Sequence, residues 1–98
     1  MTDELLRALA DPTRARIVDL LAGEQLCVCH LVEETGATGS NVSNHLRVLR
    51  DLGVVDAEPA GRFTYYRLRP EVLAAVSAHY AQLASRARLA VAVKRPCD

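Results

Sequence analysis

Apolar residues recur at helical spacing through the first part of the chain, and residues that start or stop helices divide them into segments. Asp3 to Leu9 predicts a short first helix. A second helix is expected to begin after Asp11, a favourable N-cap residue that precedes Pro12 at the first helical position, and to end at Gly23. The apolar face of this helix consists of Ile17, Leu20 and Leu21.

Two further helices are predicted on either side of a tight, glycine-containing connection at residues 36–39. The first covers Leu26 to Thr35, and the second has Thr38 as its cap and ends at Gly53. The apolar stripe of the second helix consists of Val42, Leu46 and Leu49. The residues facing the opposite way, at 100° per residue, are Ser40, Ser43, Asn44, Arg47 and Asp51. His45 lies near the edge of the apolar stripe.

The last part of the chain predicts a hairpin followed by a long helix. Val54 to Glu58 and Phe63 to Leu68 are β-prone runs, and Pro59 to Arg62 is expected to form the tip between them. Pro70 opens a helix that extends to about Val93. One face of this helix is too apolar to be left in water, and its stripe consists of Val72, Val76, Tyr80, Leu83 and Ala87.

This order of elements is that of a winged helix-turn-helix, a mainly α fold with five helices and one small β-hairpin. A single domain over residues 1–98 is expected, with the helix-turn-helix at about 26–52 and the wing at about 54–69. The second helix of such a pair lies in the major groove of duplex DNA. The residues expected to contact DNA are Ser40, Asn41, Ser43, Asn44, His45, Arg47, Arg50 and Arg62.

Each of these residue types has a specific use on DNA. Asn44 suits a bidentate contact with adenine and Arg47 one with guanine, whereas the hydroxyl and basic residues around them suit phosphate contacts. Arg62, at the hairpin tip, is expected to contact the flanking backbone or minor groove. His45 suits either a phosphate contact or packing at the edge of the core. A polar helix face alone is an ordinary solvated surface, so the order of elements carries this prediction.

Composition and charge allow such a protein but do not demand it. The net charge of the 98 residues is zero, yet residues 1–39 carry three Arg against seven Asp and Glu, a net charge of −4, which leaves +4 on the remainder. No apolar run approaches the roughly 20 residues that cross a bilayer, and the acidic start lacks the pattern of a signal peptide. A cytoplasmic protein with no membrane partner is therefore expected.

The cysteines are the second chemical feature of the sequence. Cys27 and Cys29 are separated by one residue, and Cys97 lies near the end. In a reducing compartment this pattern favours thiolate ligation or redox chemistry over a disulfide framework, although buried cysteines are also common as small hydrophobic residues. Residues i and i+2 of a regular helix point about 200° apart. An ion that bound both sulfurs is therefore expected to unwind or bend the start of that helix.

Several segments together resemble the ArsR/SmtB family of metal-responsive repressors. They are Ala8-Leu9-Ala10-Asp11-Pro12-Thr13-Arg14, Gly39-Ser40-Asn41-Val42-Ser43-Asn44-His45-Leu46 and Gly61-Arg62-Phe63-Thr64-Tyr65-Tyr66. The resemblance covers about residues 5–73. It implies a homodimer through the first and last helices, the last at about 70–93, and a repressor that leaves its operator DNA when an inducer binds. We expect that this protein needs no cofactor to bind DNA.

The segment Leu26-Cys27-Val28-Cys29-His30-Leu31 resembles the arsenic-responsive members of that family. The resemblance implies an inducer site for As(III) or Sb(III) at Cys27 and Cys29, and soft thiolates suit such ions. Related members often carry a third cysteine where this chain has Val32. The third ligand is then either Cys97 of one of the two subunits or His30. Alternatively, the two thiolates suffice without a third ligand.

Three other functions compete with this one. The same cysteines suit a repressor that responds to Cd(II), Pb(II) or thiol oxidation. A DNA-binding module with no inducer would show no response at all. A thiol enzyme is disfavoured because the chain has no Cys-x-x-Cys, no phosphate-binding loop around a cysteine and no cofactor fingerprint, so the chain is expected not to be an enzyme.

Overall fold

The computed structural model describes residues 3–97, and it contains the five helices and the hairpin that the sequence predicts. The elements are α1 (Asp3–Ala10), α2 (Pro12–Leu21), α3 (Val28–Thr35), α4 (Gly39–Asp51), β1 (Val55–Ala60), β2 (Phe63–Leu68) and α5 (Pro70–Ala90). This arrangement is a winged helix-turn-helix, in which α3 and α4 are the helix pair and the two strands form the wing.

The helices begin where their caps predict. The Asp11 carboxylate accepts a hydrogen bond of 3.0 Å from the backbone N–H of Arg14, and Pro12 occupies the first turn of α2. The Thr38 hydroxyl accepts one of 3.2 Å from the N–H of Asn41 at the start of α4. The side chains of Asp11 and Thr38 therefore determine where α2 and α4 begin.

The first strand of the wing extends two residues further toward the loop than predicted, and the loop is correspondingly shorter. Ala60 pairs with Phe63, so only Gly61 and Arg62 lie in the loop, and Gly61 has a φ of 64°, as the first position of a two-residue hairpin loop requires. The prediction of a four-residue tip beginning at Pro59 is wrong. Pro59 is tolerated inside β1 because β1 is an edge strand, with no neighbour on its outer side among the described residues.

A third stretch of backbone joins the wing on the other side of β2. Leu26 forms an antiparallel bridge with Tyr66, in which Tyr66 N–H donates to the Leu26 carbonyl at 2.8 Å and Leu26 N–H donates to the Tyr66 carbonyl at 3.2 Å. Extended backbone at Leu26 is incompatible with the helix predicted from that residue. The wing is therefore tied directly to the residue that precedes Cys27.

The core lies between the first four helices and the base of the wing. The apolar stripe predicted on α4 is fully buried, and it packs with side chains from α2, α3 and β1. The buried cluster consists of Ile17, Leu21, Leu26, Leu31, Val42, Leu46, Leu49, Val54 and Val55. This core fixes α4 and leaves its opposite face in solvent.

The last helix lies mostly outside this core. None of the described residues of α5 is buried, and Tyr80 and Leu83 on its apolar stripe are 50% and 39% exposed. The radius of gyration is 17.6 Å, compared with about 13 Å for a compact chain of this length. No helix within residues 3–97 has both the length and the apolar character needed to cross a membrane.

Candidate metal centre and nucleic-acid interface

Cys27 stands at the N-cap of α3, outside the helix itself. Its backbone is extended, with φ of −93° and ψ of 171°, because the bridge from Leu26 to Tyr66 holds the preceding residue in a strand-like conformation. Cys29 lies in the first turn of α3. The prediction that the two sulfurs point apart on a regular helix is therefore wrong, since only one of the two cysteines is helical.

The two sulfurs and one imidazole already lie together. The sulfur atoms of Cys27 and Cys29 are 2.7 Å apart, and Nδ1 of His30 is 3.2 Å from the Cys27 sulfur. The same Nδ1 accepts a hydrogen bond of 3.2 Å from the backbone N–H of Cys27. One ligand atom from each of the three residues lies within 4.8 Å of the others.

The two thiols have opposite pKa shifts. The thiol of Cys29 donates a hydrogen bond to the Cys27 sulfur, which lowers the pKa of Cys27, and backbone N–H groups at the start of α3 add to the lowering while burial opposes it. The same hydrogen bond raises the pKa of Cys29, and burial and the charge on Cys27 raise it further. Cys27 is therefore the first of the pair to become a thiolate.

This donor set suits a soft, sulfur-seeking ion. Two thiolates around one tetrahedral zinc ion, at metal–sulfur bonds of about 2.3 Å, lie about 3.8 Å apart. The sulfurs here are closer than that, and Cys29 is exposed whereas Cys27 is buried. An outward rotation of Cys29 therefore adapts the site without moving Cys27. Cys97 is exposed after the end of α5, and within one chain it is not part of this cluster.

The cysteine pair faces the wing across a cavity of about 280 Å³. The cavity is lined by Cys27, Val28 and Cys29 on one side and by Arg62, Phe63, Thr64 and Tyr66 of the wing on the other. The ring of His30 also lies 6.3 Å from that of Tyr65, measured between centroids. The candidate metal centre and the wing are therefore neighbours in space.

The residues predicted to contact DNA lie where such contact is possible. Those on α4 are exposed except for the half-buried His45, and Arg62 is exposed at the loop of the wing. The exposed α4 residues are Ser40, Asn41, Ser43, Asn44, Arg47 and Arg50. The Arg47 guanidinium donates a hydrogen bond of 3.1 Å to the Asn44 side-chain oxygen. This hydrogen bond has to break if both side chains contact bases. The wing loop and the free face of α4 therefore both carry exposed polar groups, several of them basic.

His45 differs from its neighbours because its ring is held by α2. Nη1 of Arg14 lies 3.0 Å from Nδ1 of His45, and Nε of Arg14 donates a hydrogen bond of 2.8 Å to the carbonyl of Ala8. The Asp11 carboxylate is 4.0 Å from the same imidazole nitrogen. Segments around residues 8–14 and 39–46, which both carry the resemblance described above, therefore meet at this contact.

Sequence reasoning did not identify Arg14 as a site residue and offered His30 only as one candidate for a third ligand. His30 follows Cys27 by three residues, which is the spacing of a capping box, so this spacing was a usable signal. Arg14 had no such signal, because its partner is on another helix.

Comparison with known proteins agrees with the fold. Residues 11–57 match the family described as "Bacterial regulatory protein, arsR family". The HTH-type transcriptional regulator CmtR of Mycobacterium bovis is 45% identical over 95 residues, covering 93% of this chain and 74% of that protein. The arsenic resistance transcriptional regulator ArsR1 of Pseudomonas putida is 42% identical over 69 residues, covering 69% of this chain and 54% of ArsR1. The chain thus spans about half the length of ArsR1.

Solved structures of two regulators share this fold. The crystal structure of a possible transcriptional regulator for arsenical resistance has a TM-score of 0.75 and 36% identity, covering 97% of this chain and all of that one. A homodimeric winged helix-turn-helix DNA-binding domain from Mycobacterium bovis has a TM-score of 0.68 and 29% identity, covering 95% of this chain and 85% of that one.

Proposed function

Because this chain belongs to the ArsR/SmtB family of bacterial transcriptional regulators, we propose that it is a homodimeric repressor that binds operator DNA and leaves it when As(III) or Sb(III) binds at Cys27 and Cys29. It acts in the cytoplasm, where bacterial DNA lies, and it catalyses no reaction. The observation that carries this proposal is the meeting of two sulfurs and an imidazole nitrogen at the start of α3, beside the wing.

The DNA-binding part rests on the exposed face of α4 and on the loop of the wing. A buried apolar stripe fixes α4, and its free face carries a pair suited to base edges, Asn44 and Arg47, among shorter polar groups suited to phosphates. Arg62 is exposed in the loop of the wing. This division of roles matches a helix in the major groove with a wing along the flanking backbone.

The inducer is proposed from the donors. Thiolates select soft ions, and a trivalent arsenic or antimony centre takes three sulfur or similar ligands in a pyramid. Cys27 and Cys29 supply two, and His30 is the nearest third donor in the same chain. The names of ArsR1 and of the structural neighbour for arsenical resistance favour arsenic among the soft ions.

Release from DNA is proposed to pass through the wing, since the sulfurs meet without unwinding α3. Residue 26 is hydrogen-bonded to Tyr66 of β2 at both backbone groups, and the cysteines share a cavity with Arg62. An ion that moves Cys29 outward enters this cavity. Nδ1 of His30 now accepts the hydrogen bond from the backbone N–H of Cys27. An ion bound at this nitrogen would remove the acceptor of that hydrogen bond. Both changes act on the residues that hold the wing.

The test measures binding to the protein's own promoter with and without arsenite. We expect arsenite to weaken binding by the wild type, and Cys27→Ser or Cys29→Ser to bind DNA normally but not to respond. Cys97→Ser is the matched control, and its response separates a two-cysteine site from one completed by Cys97. A normal response in the Cys27→Ser/Cys29→Ser double variant would contradict the site.

A second candidate inducer is favoured by the shared proton of the thiol pair. A thiolate at Cys27 next to the thiol of Cys29 is a suitable target for oxidants, and it also suits Cd(II) or Pb(II). Titration of the DNA complex with arsenite, antimonite, cadmium, lead and peroxide, under reducing and non-reducing conditions, distinguishes these inducers. Release by peroxide alone would replace the metalloid with a redox signal.

A further inference from the structure

Arg14 connects three parts of the molecule through its backbone and its guanidinium group. Its backbone N–H donates to the Asp11 carboxylate at the start of α2, its Nε donates to the Ala8 carbonyl at the end of α1, and its Nη1 contacts Nδ1 of His45 on α4. His45 is half-buried, with 22% of its side chain exposed. The contact therefore lies where the DNA-facing surface of α4 meets the first two helices.

The chemistry of arginine decides the tautomer of this histidine. A guanidinium group has only donors, so Nδ1 of His45 must accept the hydrogen bond of 3.0 Å. The proton of the neutral ring is then on Nε2, the nitrogen at the far end of the ring. Within residues 3–97, the recorded polar contacts of His45 involve Nδ1 only, which leaves the Nε2–H group available to an external acceptor.

We propose that Arg14 is a positioning residue for DNA binding, and that it holds His45 as an Nε2–H donor to a backbone phosphate. The inference rests on the proposed DNA binding. Phosphate oxygens accept many of the hydrogen bonds that proteins donate to DNA, and a neutral imidazole donor adds one such bond without reading a base. Since the same guanidinium group binds the end of α1, the position of this donor is tied to the first helix as well as to α4.

Two substitutions of His45 separate the two ring nitrogens. His45→Asn retains an acceptor near the position of Nδ1 and lacks a donor near Nε2, whereas His45→Gln places an amide donor near Nε2. We expect the affinity for the promoter fragment to fall about tenfold in His45→Asn and only about threefold in His45→Gln, as the loss of one hydrogen bond to a charged acceptor predicts. Equal losses in both variants would overturn the assignment of Nε2 as the donor.

A double-mutant cycle tests whether Arg14 acts through His45. Arg14→Gln is expected to weaken DNA binding about threefold in the wild type and to have no further effect in the His45→Asn background, since the donor is already absent there. An equal loss in both backgrounds would show a merely structural role and overturn the proposal. Arg16→Gln is the control, because Arg16 lies on the same helix and, among residues 3–97, its side chain pairs only with the exposed Asp19.

The free protein provides a test that does not depend on DNA. Long-range proton–nitrogen NMR spectra of the imidazole are expected to show the Nε2–H tautomer of His45 in the wild type and in Arg16→Gln, and a mixture of tautomers in Arg14→Gln. A wild-type Nδ1–H tautomer would refute the inference alone. A wild type with the expected tautomer but no affinity for promoter DNA would refute the proposed function and with it the role on DNA.

Discussion

At the scale of single residues, one shared proton gives two neighbouring cysteines different chemistry. The hydrogen bond from Cys29 to Cys27 lowers the pKa of one thiol and raises that of the other. Because the two groups are coupled, they release their protons in two steps that belong to the pair. The first step produces the ligand that an incoming ion meets.

These shifts predict the pH titration of the metal-free, reduced protein. In Cys97→Ser, which leaves only the pair, thiolate absorbance in the ultraviolet is expected to rise in one step below the usual pKa of cysteine and one step above it. Since a lowered pKa leaves Cys27 ionised at lower pH, the thiolate is present above that pKa and is lost as the pH falls through it. Inducer binding is therefore expected to weaken on acidification.

Adding Cys29→Ala to the Cys97→Ser variant checks the cause of the lower step. It removes the hydrogen bond that contributes most to lowering the pKa of Cys27, so the remaining thiol is expected to titrate at higher pH than the first step of the pair. A single step of double amplitude near the usual pKa in Cys97→Ser would contradict the shared proton.

At the scale of the elements, the sequence predicts what depends on local chemistry and fails where distant segments pair. Asp11 and Thr38 act as caps in the structure as their residue types predict, because each bonds to a backbone N–H three residues later. The start of α3 could not be predicted in this way. Leu26 is held in extended backbone by Tyr66, which is distant in sequence, and no local pattern in residues 26–35 reports that pairing.

The position of Arg62 beside the cysteines leads to a prediction for the wing. Arg62→Ala is expected to weaken DNA binding and to reduce the slope of log affinity against log salt concentration by about 1, as the loss of one phosphate contact requires. It is also expected to reduce the factor by which arsenite weakens DNA binding, because Arg62 lines the cavity beside the cysteines. Fluorescence anisotropy at several salt concentrations, with and without arsenite, measures both effects.

Arg67→Ala is the control for this prediction. Arg67 lies on the same hairpin but pairs with Asp56 and Glu58 of β1 and does not line the cavity. Its salt slope and arsenite response are expected to match the wild type. If Arg62→Ala changes the salt slope but arsenite still weakens binding by the wild-type factor, Arg62 contacts DNA without transmitting the inducer signal.

At the scale of the whole molecule, α5 leaves part of its apolar face exposed, and the proposed homodimer would cover that face with a second copy of this chain. Of the stripe predicted from the sequence, Val72 packs against the core and Val76 is half-buried, whereas Tyr80 and Leu83 further along α5 are 50% and 39% exposed. The chain alone is extended over 63 Å because α5 projects from the core. A homodimer that buries this face also presents two copies of α4 to two half-sites of one operator.

Leu83→Glu tests that arrangement, with Gln82→Glu as the control. The first substitution places a charge on the apolar stripe, where a dimer would bury it, whereas the second adds the same charge at the neighbouring exposed position. Sedimentation is expected to show a monomer for Leu83→Glu and a dimer for Gln82→Glu. Since the two half-sites are then bound independently, affinity for the full operator is expected to fall about a hundredfold in Leu83→Glu, while affinity for an isolated half-site stays unchanged.

The core lies outside α5 apart from the contact of Val72, so the monomer is expected to remain folded and helical. A monomeric Leu83→Glu that still bound the full operator like the wild type would show that one copy of α4 and one wing supply all of the affinity.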